Sequence, residues 1–525
     1  MLKRINLPLV LLLCLLALVL GYKLPYWFLH PLSISPDQSV YLEMAQLILQ
    51  GKTPYLDFFD FNPPLIMYLS VIPVLVSRLL QLPVPFGFNL FILGLHILVT
   101  IFCGWLIYSY RTIYKPLLFV PVLLAFAAFT PGLVSDLGQR EHIFTLLFMP
   151  FLMVRGLTYS GKSPGQFSLL VSGLLAGLGL SLKPQFVFIW LLGELGFYLK
   201  GRSLKPLLSL EIKACLLVPL VYGLCFLLLP GGARDIYFND AVPVYLYGSS
   251  WNSRCIMHML CGFEYFAEPF TQILLALFLA PFIRTSAFCA PLVLLLLGSL
   301  AGYFSGMQAW TYRLLPATLF AQLLLAYQFG HLLQFLQTRF RRLGLSVYRF
   351  DFGVCASAVL IACGLTSFYV CQFYGQWQAE PRFDLTRLGL VAQEPRSDFD
   401  GMFFAITANC EPGEAVVHVG SGIRPGYPSQ LQSLNPPGSR YLYSYLVMFA
   451  SAMSNKPEYM ERFRAQQSKM VEELGSDILK NHPRLVFVQQ LLIEEMLEPY
   501  QFKQKYLAHY REAGFVEGCK IYKLE

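Results

Sequence analysis

The sequence predicts a polytopic α-helical membrane protein of about eleven spans, with one extra surface or re-entrant helix and a C-terminal α/β domain outside the membrane. Three observations carry that prediction. Of the 525 residues, 56% are apolar and only 13% charged, whereas soluble domains are about a quarter charged. Long runs almost without charge recur, among them Leu7–Gly21, Phe270–Phe282, Ala287–Leu300 and Phe352–Val370. With their flanks, these reach the ~20 residues that cross a bilayer core. Past residue 373 the composition turns charged and rich in turn signals, which separates a membrane core over 1–373 from an extracytoplasmic domain over 374–525.

The spans read as 5–22, 87–108, 116–131, 143–155, 167–182, 185–199, 213–230, 270–284, 287–304, 312–334 and 352–373. The first has Lys3 and Arg4 ahead of it, but Gly21-Tyr22-Lys23 is a poor cleavage site, so it reads as an uncleaved helix. Pro64–Leu80 is ambiguous, and the positive-inside rule decides it. If that segment stays on or dips into the outer surface, fifteen basic residues in short loops share one side. They are Lys3, Arg4, Arg111, Lys115, Arg155, Lys162, Lys200, Arg202, Lys205, Lys213, Arg284, Arg339, Arg341, Arg342 and Arg349. If it crosses, the Arg339–Arg349 cluster lands outside. The first threading puts the N-terminus in the cytoplasm and the C-terminal domain outside. It also makes the net charge of +8 a topology signal and not a nucleic-acid surface.

In the tail, Ala415–Val419 and Arg484–Gln489 read as short buried strands, and Lys520–Leu524 as a last strand. Tyr459–Asn481 reads as an amphipathic helix with Met460, Phe463, Met470, Val471, Leu474 and Ile478 on one face. Most of the twelve cysteines lie in apolar spans as small packing residues. No Cys/His metal spacing appears. Cys255 with Cys261, and Cys410 with Cys519, are candidate disulfides if those regions face an oxidising compartment.

Four outward-facing pieces hold ionisable groups. Ser33 to Tyr41 suggests a helix starting near Asp37 and lying along the membrane surface; on spacing alone Asp37 reads equally as an acid favouring the helix dipole. Gly51-Lys-Thr-Pro-Tyr55 ends that helix, followed by Asp57, Asp60 and Asn62-Pro-Pro64. A later turn packs Asp136, Arg140, Glu141 and His142 at one membrane mouth. Single basic residues at such ends often snorkel, but acid, base and imidazole together point to function. Lys183-Pro184 and the Trp310-Thr-Tyr312-Arg313 run add two cations. Cations gathered with carboxylates suit a phosphate-bearing lipid.

Together, the outer-loop Asp37 with Tyr41, the Gly51-x-x-Pro-Tyr55 turn, the Asp60-x-x-Pro-Pro64 run, Arg140-Glu141 and Lys183-Pro184 resemble the GT-C integral-membrane glycosyltransferases. The branch most similar is that of the protein mannosyltransferases and aminoarabinose transferases. The resemblance covers about Ile34 to Gln185, and Gly302–Pro316 loosely. It implies transfer of a sugar from a polyprenyl-phosphate donor to a lipid, polysaccharide or protein acceptor, at the outer face of a cell inner membrane. Asp37 would then activate the acceptor, with Glu141 supporting the acceptor, the base or a divalent cation shared with Asp37. Lys183, Arg313 and Arg140 would receive the donor phosphate, and Tyr41, Tyr55, Asp60, Asn62 and His142 would bind substrate. Two positions depart from the family. Gln38 follows Asp37 where many relatives carry a second acid, which leaves the metal open. Asn62 precedes Pro-Pro where many carry Lys or His, which puts more of the phosphate chemistry on Lys183 and Arg313.

Two other classes compete with this reading. A secondary transporter or lipid flippase usually carries mid-membrane helix breaks and internal repeats; here the polar clusters sit at span ends and no repeat is visible. A non-catalytic scaffold would make the tail the working part. No aromatic–basic platform indicates nucleic acid, and Gly420-Ser-Gly422 is too short for a phosphate-cradling loop.

Overall fold

A computed structural model describes residues 34–129, 136–249, 253–261, 267–342 and 401–525. Within these, nine of the eleven anticipated spans coincide with helices; spans 5–22 and 352–373 lie outside the described residues. Four helices there are long and apolar enough to cross a bilayer, namely Val84–Ser109, Arg140–Tyr159, Leu210–Leu227 and Thr311–Arg339. The others on the list of spans are shorter apolar helices: Pro116–Ala128, Gln166–Leu180, Phe186–Gly201, Glu268–Ile283 and Cys289–Ser305. Apolar side chains point outward as well as inward. Leu98 and Ile101, at 67% and 63% exposure, sit on one helix, and Leu216, Leu220 and Leu224 on another. A helix apolar on all sides belongs in a core or in lipid, and this fold is that of a multi-pass membrane protein.

Contacts divide the chain into two compact units. One comprises residues 92–222 and 254–342, the other 34–91, 223–253 and 401–525. In the first unit, helices approach through small residues. A Cβ on Gly173 would meet the Glu211 carbonyl oxygen at 2.3 Å, and one on Gly177 the Cys215 carbonyl oxygen at 2.4 Å. Gly173-x-x-x-Gly177 is thus the notch in which Gln166–Leu180 lies backbone-to-backbone against Leu210–Leu227.

Arg155, counted above as a loop charge, is instead fully buried in the Arg140–Tyr159 helix. Its Nε donates to Glu194 Oε1 at 2.7 Å and its Nη1 to Glu211 Oε1 at 2.9 Å and to the Pro206 carbonyl at 2.9 Å. The Tyr159 ring lies 4.9 Å from the guanidinium carbon. Carboxylates from two other helices neutralise it, so it ties helices together and carries no weight as a topology signal.

The second unit contains the small α/β domain expected of the tail, but it also takes in the first outer loop. Its sheet has four strands, β1 (Val416–Val419), β2 (Leu485–Gln489), β3 (Tyr510–Val516) and β4 (Cys519–Leu524), in the order β1-β2-β4-β3. β1 and β2 run parallel; β4 is antiparallel to both of its neighbours. The period of two gives each strand two faces. Val417, Val419, Val486 and Val488 pack with the Met460–Asn481 helix, while Val416, Leu485 and Phe487 pack with Met402 and Ile406. Of the helix face predicted, Phe463, Met470, Val471, Leu474 and Ile478 are buried; Met460, at the first position, is exposed.

Strand β3 was not anticipated. Its residues are mostly exposed, so the Arg511-Glu512 charges that hid it are those of a solvated edge strand. The β3–β4 turn sits on Glu517 (φ 48°) and Gly518 (φ 77°), the paired positive dihedrals of a two-residue hairpin. Cys255, Cys410 and Cys519 are free thiols, so neither disulfide candidate is formed. Cys410 and Cys519 are packing residues of one apolar cluster, and Cys519 Sγ lies 3.9 Å from His418 Nε2.

Gly177→Leu should lower the thermal midpoint and folded yield in detergent, because backbone cannot move aside. Gly223→Leu, on the same Leu210–Leu227 helix with nothing within 4 Å of its Cβ position, should change neither. Equal losses in both would show that the notch is not a tight contact.

Candidate active site

The chemistry-bearing residues fall into two constellations, one in each unit. In the helical unit, residues 136–139 turn the chain into the Arg140–Tyr159 helix, and Gly138 (φ 78°) makes the bend. Its N–H donates to His142 Nδ1 at 3.0 Å, so that nitrogen is the unprotonated one and the other carries the proton in neutral imidazole. His142 is wholly buried beside Phe129 and His96, with ring centroids 5.7 and 6.4 Å away. Its place is to brace the turn.

Glu141, in the first turn of the helix, is where the dipole favours an anion. Its Oε1 takes an ion pair from Lys183, which projects from the turn between Gln166–Leu180 and Phe186–Gly201. Lys183 Nζ also lies 5.2 Å from the centre of the Tyr312 ring. Next door, Thr311 Oγ1 donates to Asp136 Oδ2 at 2.8 Å, which ties the Thr311–Leu314 turn to residues 136–139. Burial pushes the Lys183 ammonium down to about 8; the positive charge of Arg140 adds to this, Glu141 opposes it and Arg313 adds again. Arg140, Lys183 and Arg313, predicted to receive the donor phosphate, and Glu141, predicted to support the acceptor, the base or a cation, are thus one electrostatic group.

Glu141 Oε2 and Arg313 Nε are buried without a hydrogen-bond partner among the described residues. Buried polar atoms are ordinarily paired, so this group is built to meet something further. With three cations around one paired carboxylate, an anion suits it. Among the described residues no three His, Cys, Asp or Glu side chains cluster as a metal site.

The second constellation begins at Pro36–Leu49, the helix foreseen at Asp37. Ser35 and Gln38 form a reciprocal capping box: Ser35 N–H donates to Gln38 Oε1 at 2.9 Å and Gln38 N–H to Ser35 Oγ at 3.4 Å. That explains the departure at Gln38, which serves the helix start. Asp37, between them, is half-buried. Tyr41, one turn on, is buried at 4% exposure.

Asp60 and Asn62 close their own loop. Asp60 Oδ1 accepts from the Asn62 backbone N–H at 2.5 Å and side-chain Nδ2 at 2.7 Å, an Asx-type turn. Tyr55, in a left-handed conformation (φ 69°), donates its hydroxyl to the Asn62 carbonyl at 2.7 Å, and its ring lies tilted against Tyr237 with centroids 5.0 Å apart. These three, predicted as substrate contacts, hydrogen-bond within the loop. Two further residues went unnoticed in the sequence. Glu43, on the Asp37 helix, is buried and pushed up to about 8 by that burial. Tyr443, from the tail, places its hydroxyl 3.5 Å from Asp60 Oδ2. Neither stands in a motif; only the folded chain brings them to the loop.

Neither a family model nor a curated protein matches the chain. The likeness lies in the fold. The crystal structure of ArnT from Cupriavidus metallidurans bound to undecaprenyl phosphate matches with a TM-score of 0.58 at 13% identity, covering 96% of this chain and 97% of that one.

Gly306 tests the cation group without touching it. A Cβ there would sit 2.1 Å from Arg313 Nη1, the far end of a side chain that can swing away. Gly306→Ala should therefore leave the thermal midpoint nearly unchanged while weakening binding of a phosphate-bearing lipid by about tenfold, the range of one charge-assisted hydrogen bond. Unaltered binding would remove Arg313 from the anion site.

Proposed function

We propose that this chain is a GT-C-type glycosyltransferase that moves a sugar from a polyprenyl-phosphate donor to an acceptor at the outer face of a cell inner membrane. The observation that carries the reading is the group of buried Arg140 and half-buried Lys183 and Arg313 around buried Glu141, at the ends of helices suited to lipid. The ArnT structure of the same fold holds undecaprenyl phosphate, the chemistry such a group selects. In this reading the N-terminus is cytoplasmic and the tail extracytoplasmic, as the distribution of basic loops favours.

The reaction follows from charge. The bond between the anomeric carbon and the phosphate oxygen breaks, and the acceptor oxygen bonds that carbon in its place. A phosphodiester with one negative charge becomes a phosphomonoester with up to two. The charge that develops is on the leaving phosphate, and fixed cations aimed at it lower the barrier. Lys183, Arg313 and Arg140 take that task. Glu141 holds Lys183 in place, which keeps the ammonium from folding away.

The acceptor hydroxyl must shed its proton as it attacks. Asp37, half-buried at a helix start, is the base, with Tyr41 on the same helix face one turn further on. Asp60, Asn62 and Tyr55 give the loop its shape. The acceptor stays a lipid, polysaccharide or protein hydroxyl at this level.

A radiolabelled panel of polyprenyl-phosphate sugars, incubated with membrane extract, tests the function. Asp37→Asn should reduce transfer by about 10²–10⁴-fold, the usual share of a general base, while the protein still inserts. Full activity in that variant would sink the base assignment. Donor binding should also depend on pH. Lys183 carries charge below about 8 and loses it above, so affinity for the phosphate should fall as pH rises through 8. Lys183→Arg, which stays charged, should flatten that fall. A decline of the same size in both proteins would mean that another group titrates.

A further inference from the structure

The segment Ser439–Tyr445 of the tail lies along the first outer loop within the same unit. Phe59 N–H donates to the Arg440 carbonyl at 3.0 Å, and Tyr445 Oη donates to the Phe59 carbonyl at 3.0 Å. Almost every polar side chain in that segment is engaged in holding it there. Ser439 and Arg440 bond to Asp477, the guanidinium through Nε at 3.1 Å and Nη2 at 3.0 Å. Tyr441 Oη donates to Glu473 and Ser444 Oγ to the Gly420 carbonyl. Tyr441, Leu442, Ser444 and Tyr445 are buried.

Tyr443 differs. It is the one tyrosine of the run that is half-buried, and its hydroxyl lies 3.5 Å from Asp60 Oδ2. Its ring leans on Tyr445, centroids 4.5 Å apart. Burial first, then Asp60, Tyr445 and Asp37, holds the phenol well above its ordinary range, so it remains a neutral donor at any working pH. Asp37 therefore acts electrically on a tyrosine more than four hundred residues away in sequence. A segment seated by its neighbours that leaves one half-buried tyrosine hydroxyl and an aromatic face near the carboxylate base has the make-up of a subsite.

We propose that Tyr443 of the C-terminal domain is a binding residue for a saccharide acceptor, its hydroxyl donating to an acceptor hydroxyl adjacent to the one that reacts at Asp37. This rests on the transferase reading above. The saccharide class follows from the donor and acceptor groups on offer. A phenol donor, carboxylate acceptors and a ring face match vicinal hydroxyls on a sugar ring. A serine or threonine side chain brings one hydroxyl and would use only one of these groups.

The test is acceptor kinetics at a fixed concentration of radiolabelled polyprenyl-phosphate sugar, with a panel of methyl and alkyl glycosides and a serine-containing peptide as acceptors. Tyr443→Phe keeps the ring and removes the donor. It should raise the KM for a glycoside acceptor by roughly three- to tenfold, the worth of one hydrogen bond, with kcat and the donor KM little changed. Tyr445→Phe removes a hydroxyl committed to Phe59 and should show instead in a lower thermal midpoint. An unchanged acceptor KM in an active, folded Tyr443→Phe protein overturns the inference and spares the transferase reading. Transfer to the peptide but to no glycoside overturns the saccharide class. No transfer by the wild type with any donor removes the transferase reading, and this inference with it.

Discussion

One carboxylate among three cations is the constraint around which the membrane unit is arranged. Glu141 at 3% exposure, Arg140 at 8% and a largely buried Lys183 sit at the ends of apolar helices, where unpaired charge is expensive. The Glu141–Lys183 pair meets part of that cost. It also fixes the relation of two helix starts, since the two residues head or precede Arg140–Tyr159 and Phe186–Gly201. What it does not meet is the remaining positive charge, and the partnerless Glu141 Oε2 and Arg313 Nε mark where the group is incomplete. Removing either member of a buried pair typically costs about 3–5 kcal/mol, so the pair is held in place by the penalty for breaking it.

A second buried cation in the same unit shows what a purely structural solution looks like. Arg155 has its Nε, Nη1 and Nη2 all bonded, to Glu194, Glu211, Ser209 and the Pro206 carbonyl, with aromatic rings over the guanidinium. Two carboxylates answer one cation. At Glu141 the balance is reversed, with cations outnumbering the acid they surround. The same physics gives a lock in one place and an excess of positive charge in the other. The second unit uses a comparable lock, Arg440 on Asp477, to seat the tyrosine segment on the first outer loop.

Much of this was legible in the sequence because hydropathy is local. Helices within apolar runs, the Asp37 helix and strands β1, β2 and β4 each announce themselves within a short window. Lys183, Arg140, Glu141 and Arg313 were readable as a set because their charges are costly where hydropathy puts them. What escaped depends on contacts far apart in sequence. Arg155 looked like a loop charge until Glu194 and Glu211 were seen to neutralise it. The turn in which Asp60 Oδ1 accepts from Asn62 was not read from the sequence either. Glu43 and Tyr443 had no motif, and β3 wore the charges of an exposed edge. The grouping of the first loop with the tail has no local signal at all: Phe59 meets Arg440 and Tyr445 only once both segments are folded.

The central claim is that the Arg140–Glu141–Lys183–Arg313 group is a seat for a lipid phosphate. Its most direct measurement is equilibrium binding of undecaprenyl phosphate against undecaprenol, to wild type and to a Lys183→Gln/Arg313→Gln double variant in detergent. The account predicts that wild type prefers the phosphate by about a hundredfold, as two charge-assisted contacts would give, and that the double variant loses the preference while binding the alcohol as before. Equal affinity of wild type for the two lipids would contradict it.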